Sequence, residues 1–208
     1  MVIAVDGPAA SGKGTIARGL AQRFGLPHMD TGLLYRAVAL NLWRWGGDPS
    51  SEFEALRGCD MLGIDPEDEE LRSEPVSRIA SSISAYPSVR TALLERQRQF
   101  AGQPGGAVLD GRDIGTVIAP GADAKLFVTA TAEIRAQRRV RELLERGMPA
   151  HYEDVLLDIR ARDERDAHRA VAPLHQAADA ILLDTSDLTA DGAIAEAIRL
   201  VEERLKVR

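Results

Sequence analysis

Four short apolar runs divide this 208-residue chain: Val2-Ile3-Ala4-Val5, Ala107-Val108-Leu109, Lys125-Leu126-Phe127-Val128 and Ala180-Ile181-Leu182-Leu183. A run without polar alternation reads as a strand buried on both faces. Apolar residues recurring every three to four positions, as between these runs, read as helices with one packed face. Strands alternating with helices predict an α/β fold with a central parallel sheet of about five strands, covered on both sides. The first run stops at Asp6-Gly7, and the helical period starts near Gly12 and lasts to about Phe24, so the opening reads strand, glycine loop, helix.

Other segments qualify that picture. Residues 31–100 are mostly helical in pattern but broken by Gly46-Gly47-Asp48-Pro49 and by the acidic turn Asp65-Pro66-Glu67-Asp68-Glu69-Glu70, which predicts a subdomain inserted into a single domain spanning 1–208. Arg146-Gly147-Met148-Pro149 interrupts an arginine-rich helical stretch and predicts the tip of a short lid over about 140–155. From about Thr189 to Lys206, Ile194, Ile198, Val201 and Leu205 fall on one side of a packing helix.

Composition narrows the function classes. With 26 basic against 32 acidic residues the formal charge is −6, which argues against general binding to a nucleic-acid polymer. No apolar stretch reaches the length of a membrane helix and no signal-peptide pattern precedes the first strand, so a cytoplasmic protein without membrane contact is expected. The single cysteine, Cys59, allows no internal disulfide, and His28, His151, His168 and His175 lack metal-ligand spacing. Arginine nevertheless crowds into residues 135–169. That crowding reads either as a solvated helix face laced with i,i+4 pairs or as an anion site.

The strongest chemical signal is Gly7-Pro8-Ala9-Ala10-Ser11-Gly12-Lys13-Gly14-Thr15, directly after a strand and opening a helix. Glycines let the backbone curl so that successive N–H groups point at phosphate oxygens. The helix N-terminus adds partial positive charge, and the lysine adds a full one for the outer phosphates of ATP. The common motif has Ser or Thr immediately after the lysine. Here Gly14 stands there and Thr15 follows, so Thr15 is the candidate hydroxyl for Mg²⁺, directly or through water.

A phosphotransferase must also hold an acceptor in line with the γ-phosphate, and arginine suits an anionic one because its planar fork grips phosphate through two parallel hydrogen bonds. Four stretches offer such groups near turns or element ends: Asp30-Thr31-Gly32-Leu33-Leu34-Tyr35-Arg36, Tyr86-Pro87-Ser88-Val89-Arg90, Asp110-Gly111-Arg112-Asp113-Ile114-Gly115-Thr116, and Arg162-Asp163-Glu164-Arg165-Asp166-Ala167-His168-Arg169. Arg162, Arg165, Asp166 and Arg169 are spaced to share one helix face.

The Gly-Lys-Gly-Thr form resembles that of nucleoside monophosphate kinases. Together with the four acceptor blocks and Arg169-Ala170-Val171-Ala172-Pro173-Leu174, it makes nearly the whole chain resemble bacterial cytidylate kinases. The resemblance implies a three-layer P-loop fold and transfer of the ATP γ-phosphoryl group to CMP or dCMP. It implies that Arg36 and Arg112 clamp the acceptor phosphate, that Ser81, Arg90 and Asp113 hydrogen-bond cytosine, that Tyr35 packs beside the nucleotide, and that Thr31, where the family usually has serine or threonine, belongs to the CMP site. Arg162, Asp166 and Arg169 would meet the sugar and phosphate, and Lys13 with Arg162 and Arg112 would offset charge on the transferring group. Many family members carry a longer acceptor subdomain, whereas here the acidic turn leads directly into Leu71-Arg72-Ser73.

Cytosine presents an amino donor beside ring-nitrogen and carbonyl acceptors, so a carboxylate and an arginine can satisfy opposite ends of its edge. The residues alone leave two alternatives open: a kinase for another small acceptor such as UMP, AMP or shikimate, and a non-enzymatic ATP-dependent switch. A monomer is expected.

Overall fold

The computed structural model describes residues 1–60 and 65–206, so residues 61–64 of the expected insertion and the last two residues lie outside the described part. Two compact units emerge, one of Met1–Met29 with Ala101–Arg208 and one of Asp30–Phe100.

The first unit is built on a five-stranded sheet in the order β2-β3-β1-β4-β5, with β1 at Val2–Asp6, β2 at His28–Asp30, β3 at Ala107–Gly111, β4 at Ala124–Thr129 and β5 at Ile181–Asp184. β1 pairs in parallel with β3, from Val2 opposite Ala107 to Asp6 opposite Gly111, and with β4 on its other side, while β4 pairs in parallel with β5. The four apolar runs became β1, β3, β4 and β5. β2 has only three residues, His28-Met29-Asp30, too few and too polar to announce a strand.

Helix α1 (Lys13–Phe24) packs against α8 (Ala190–Lys206), and Ile16, Leu20, Ala197 and Val201 join Ile3, Val5, Val108, Leu126 and Val128 in one core. The approach is close: a Cβ on Gly19 of α1 would come 2.6 Å from Cγ2 of Ile194, so a larger residue there would force the helices apart. Helices α6 (Ala132–Glu145) and α7 (Tyr152–His168) are joined by the Arg146-to-His151 segment, in which Gly147 takes a φ of 72°. Arg169 follows α7 in extended backbone, and Arg165 is solvent-exposed while Asp166 and Arg169 are buried. The shared helix face expected for residues 162–169 therefore corrects to Arg162 and Asp166 on the helix, with Arg169 just beyond its end.

The second unit is helical, with α2 (Thr31–Arg44), α3 (Glu52–Arg57), α4 (Glu74–Ile83) and α5 (Pro87–Ala101). The Asp30 carboxylate accepts from the Gly32 N–H at 2.9 Å and starts α2, which gives the Asp30-Thr31-Gly32 block a capping role. Val38, Leu40, Leu42, Leu71, Val76, Ile83, Val89 and Leu93 form a core of its own. The acidic turn ends in a short 3₁₀ segment, Glu69–Arg72, held by Arg44, which bonds both Asp68 and Glu70.

Candidate active site

β1 lies in the interior of the sheet, and its carboxyl end delivers the chain into the Gly7–Thr15 loop. Open parallel sheets bind ligands at this edge. A Cβ on Gly7 would run into the carbonyl of Val128 on β4, so only glycine lets the loop leave the strand there. Ala10 and Gly12 both hold left-handed backbone, with φ of 57° and 88°, and Gly12 caps α1 without any side-chain bond. The leading N–H groups of α1 thus have no side-chain cap. Lys13 folds back with its Nζ 3.4 Å from the Pro8 carbonyl. Thr15 is exposed in the first turn and its hydroxyl accepts from Arg18 at 3.4 Å.

Long-range bonds hold the loop from outside. Arg135 of α6, 4% exposed, donates to the carbonyls of Ala9 at 3.2 Å and Ala130 at 2.9 Å and makes a two-pronged pair with Asp163 of α7 at 2.9 and 2.6 Å. Arg138 donates to the hydroxyl and carbonyl of Thr185, whose hydroxyl in turn donates to the carbonyl of Ser11 at 3.0 Å. Sequence reading placed Arg135 and Arg138 only in a general arginine cluster, because most of the groups they bond, Ala9, Asp163 and Thr185, are distant in the chain.

The acceptor candidates of this unit come from the segment after β3 and from α7 and its end. Arg112 donates from Nε to Asp166 Oδ2 at 2.8 Å, with both side chains largely buried. Burial would raise the Asp166 carboxyl, but the charges of Arg112, Arg162 and Arg169 outweigh it and hold it below the ordinary range. Arg169 lies 3.8 Å from Asp113 Oδ1 and bonds the carbonyl of Ala172 at 2.6 Å. Five of the expected residues, Arg112, Asp113, Arg162, Asp166 and Arg169, are thus brought into one network of alternating charge.

Two acids beside this network, Asp6 and Asp110, stand in segments singled out from the sequence but carry no role there. Asp6, 4% exposed, accepts from the N–H groups of Ile114 and Gly115, both at 2.7 Å. Burial pushes its pKa up to about 6, with the two N–H bonds offsetting part of that rise, Asp113 adding to it and Arg112 opposing it. Asp110, at the end of β3, bonds the His28 ring at 2.7 Å, and its other oxygen would lie 3.7 Å from a Cβ on Gly14. The available signal was that both acids close apolar runs at the sheet's carboxyl edge.

In the helical unit, the Arg90 guanidinium stands over the Tyr35 ring at 5.8 Å and donates to the Ser84 carbonyl at 3.2 Å. The Ser84 hydroxyl donates to the carbonyl of buried Ser81 at 2.9 Å, so Arg90 meets Tyr35 directly and Ser81 by way of Ser84. Arg36 donates to the Leu71 carbonyl at 3.2 Å, and Thr31 is buried at the start of α2. A stacked ring and a buried guanidinium suit a flat, polar-edged base.

A lysine-bearing glycine loop at the sheet's carboxyl edge, together with a network of arginines and carboxylates after β3, defines a P-loop phosphotransferase. The cytidylate kinase family model matches residues 3–203, and the chain belongs to that family. It is 59% identical to a cytidylate kinase from Xanthobacter autotrophicus, with 98% of each chain covered. It is 55% identical to one from Methylocella silvestris, covering 97% of this chain and 94% of that one. Among solved structures, an uncharacterised protein from Eubacterium ventriosum superposes with a TM-score of 0.59 at 12% identity, covering 97% of this chain and 98% of that chain, a likeness of fold alone. Among the described residues no helix is long and apolar enough to cross a membrane.

Proposed function

We infer that the chain transfers the γ-phosphoryl group of ATP to CMP or dCMP, giving ADP and CDP or dCDP. Family membership supports this reading, and the observation that carries it at the level of residues is the Arg112–Asp166 pair beside Arg162, Arg169 and Asp113. Arginines already oriented by carboxylates suit a nucleotide that presents a dianionic phosphate, a sugar hydroxyl and a polar base edge.

The Gly7–Thr15 backbone and Lys13 hold the ATP phosphates. Arg36 and Arg112 clamp the acceptor phosphate, and Arg162 and Arg169 add positive charge near the transferring group. Asp166, oriented by its bond from Arg112, meets the acceptor sugar. Asp113, Ser81 and Arg90 read the cytosine edge, with Tyr35 against the ring. An acceptor phosphate oxygen attacks the γ-phosphorus, and the bond from that phosphorus to the β–γ bridging oxygen breaks. No general base is required, because the nucleophile is already an anion at neutral pH. Closure of the 140–155 lid excludes water as a competing nucleophile.

Mg²⁺ is proposed as the companion of ATP. Mg²⁺ binds readily through substrate phosphate oxygens with only one or two oxygens from the protein. The exposed Thr15 hydroxyl supplies one hard oxygen at the start of α1, and Asp110 adds negative charge beside the loop. When bound, the ion neutralises phosphate charge. The enzyme is proposed to work in the cytoplasm as a monomer.

The test is a coupled assay of ADP release with CMP as acceptor, run on the wild type and on Lys13→Ala. The wild type should turn over CMP, and folded Lys13→Ala should lose at least about a hundredfold in kcat. Near-normal turnover of the variant would overturn the assignment of the phosphate loop.

A further inference from the structure

Asp6 is the last residue of β1 and immediately precedes Gly7, the first residue of the phosphate loop. Its two carboxylate oxygens each take one N–H from a different strand's continuation, Ile114 to Oδ1 and Gly115 to Oδ2, both at 2.7 Å. Those N–H groups follow directly on Arg112 and Asp113. The backbone there is unusual: Asp113 has φ −145° and ψ 27°, and its carbonyl accepts from both Val117 and Ile118 as the chain enters a single π-type turn over Ile114–Ile118. A second bond, from the Gly7 N–H to the Gly111 carbonyl at 3.3 Å, closes the junction on its other side. A Cβ on Gly115 would stand 3.3 Å from Asp6 Oδ2 and 3.1 Å from Lys125 Cδ, so the fit leaves little room for the turn to shift.

We propose that Asp6 is a positioning residue for phosphoryl transfer, one carboxylate that fixes the Arg112-Asp113 segment in register with the start of the phosphate loop. The inference rests on the kinase reading and deepens it. Asp6 touches neither substrate in this account. It acts by holding two backbone N–H groups, and a group that accepts two charge-assisted bonds from one turn restrains it far more than a neutral acceptor of one. The β1–β3 ladder holds the backbone only as far as Asp6 opposite Gly111, and the Asp6 carboxylate extends that hold past Arg112 and Asp113, whose side chains would cost roughly two orders of magnitude in rate if misplaced by about 1 Å.

The tie is sensitive to protonation. The Asp6 carboxyl, pushed up to about 6 chiefly by burial, is mostly ionised at neutral pH and gains its proton just below it. The charged and titratable groups around it are Arg112 and Asp113 on the same turn, Asp110 with its His28 partner at the end of β3, and Lys125 of β4, which is paired with Asp179 at 2.8 Å. Arg112 and Asp113 act on the carboxyl with opposite sign. A protonated Asp6 loses the charge that strengthens both bonds, and the segment carrying Arg112 and Asp113 loosens.

Asp6→Asn keeps the shape, removes the charge and sets an amide donor against one of the two N–H groups. We expect KM for CMP to rise about tenfold while KM for ATP changes by less than about threefold. The acceptor phosphate itself titrates near pH 6, so the informative quantity is the ratio of wild-type to variant kcat/KM for CMP, from which that titration cancels. The ratio should be largest above pH 7 and shrink toward one below about pH 6. Independently of catalysis, and even if the variant does not fold, backbone amide resonances of Arg112, Asp113, Ile114 and Gly115 in the wild type should shift together with a midpoint near 6. Amides that stay flat across that range, or a folded variant with equal changes in both KM values and a pH-independent ratio, would overturn the positioning role. A wild type that turns over no CMP would instead contradict the kinase reading, and the amide titration would still decide whether Asp6 grips the turn.

Discussion

Arg135 and Asp163 face each other from α6 and α7 in a two-pronged ion pair of 2.9 and 2.6 Å, and the same guanidinium bonds the Ala9 carbonyl inside the phosphate loop. A helix pair that looks like surface structure in the sequence therefore braces the ATP-binding element. Asp163→Asn removes the charge but keeps one acceptor. Because Asp163 is 31% exposed, the loss should be moderate, on the order of 1–2 kcal/mol of unfolding free energy. KM for ATP should rise more than KM for CMP, measured by thermal unfolding and steady-state kinetics on the same preparation. A variant with unchanged stability and unchanged KM for ATP would show that the brace carries no load.

The network after β3 makes a prediction about acid. Asp166 is held below the ordinary carboxylate range, so its folded pKa lies below its unfolded one. Its contribution to stability is present above the unfolded value of about 3.9 and is lost as pH falls through the lower folded value. Asp166→Asn should accordingly reduce stability at neutral pH and lose that deficit at strongly acid pH. Urea unfolding at several pH values would follow it, and a deficit independent of pH would contradict the charge pairing with Arg112.

Lid closure predicts protection. The segment between α6 and α7 exposes Arg146 and Gly147 to solvent. Tryptic cleavage within about 140–155 should slow when ATP and CMP are both bound and change little with either alone. Equal cleavage under all conditions would remove the lid from the mechanism.

Legibility of the fold followed the length of each signal. β1, β3, β4 and β5 announced themselves as apolar runs, and α1 and α8 by period. β2 could not, since only Met29 among its three residues is apolar. The phosphate loop was readable because its chemistry depends on backbone geometry, which glycine spacing encodes locally. Arg112, Asp113 and Asp166 stood out in charged stretches near element ends and took their expected roles from resemblance, but the Arg112–Asp166 pair was not legible, because the two are 54 residues apart. Asp6 was read only as the end of a strand. Its role depends on N–H groups more than a hundred residues away, at 108 and 109 positions of separation, and no local pattern reports such a bond. Spacing grouped Arg165 with Asp166, but within α7 Arg165 is exposed while Asp166 is buried.

Base choice is predicted to rest on Asp113. Asp113→Asn keeps its size, removes its charge and adds a donor, so CMP should lose a charge-assisted bond and about ten- to a hundredfold in kcat/KM. UMP should lose much less, because its carbonyl no longer faces a carboxylate. Asp166→Asn, on the sugar side, should weaken both acceptors together. A CMP-to-UMP ratio unchanged by Asp113→Asn but altered by Asp166→Asn would reverse the two assignments.

The most direct test of the whole account is the rate of ADP release from the wild type at fixed ATP and Mg²⁺, with CMP, dCMP, UMP, AMP and shikimate offered separately and a sample without acceptor. The account predicts rapid release with CMP and dCMP, rates at least about tenfold lower with each of the others, and near-background release without acceptor. Faster turnover of UMP, AMP or shikimate than of CMP, or ATP hydrolysis indifferent to any acceptor, would contradict it.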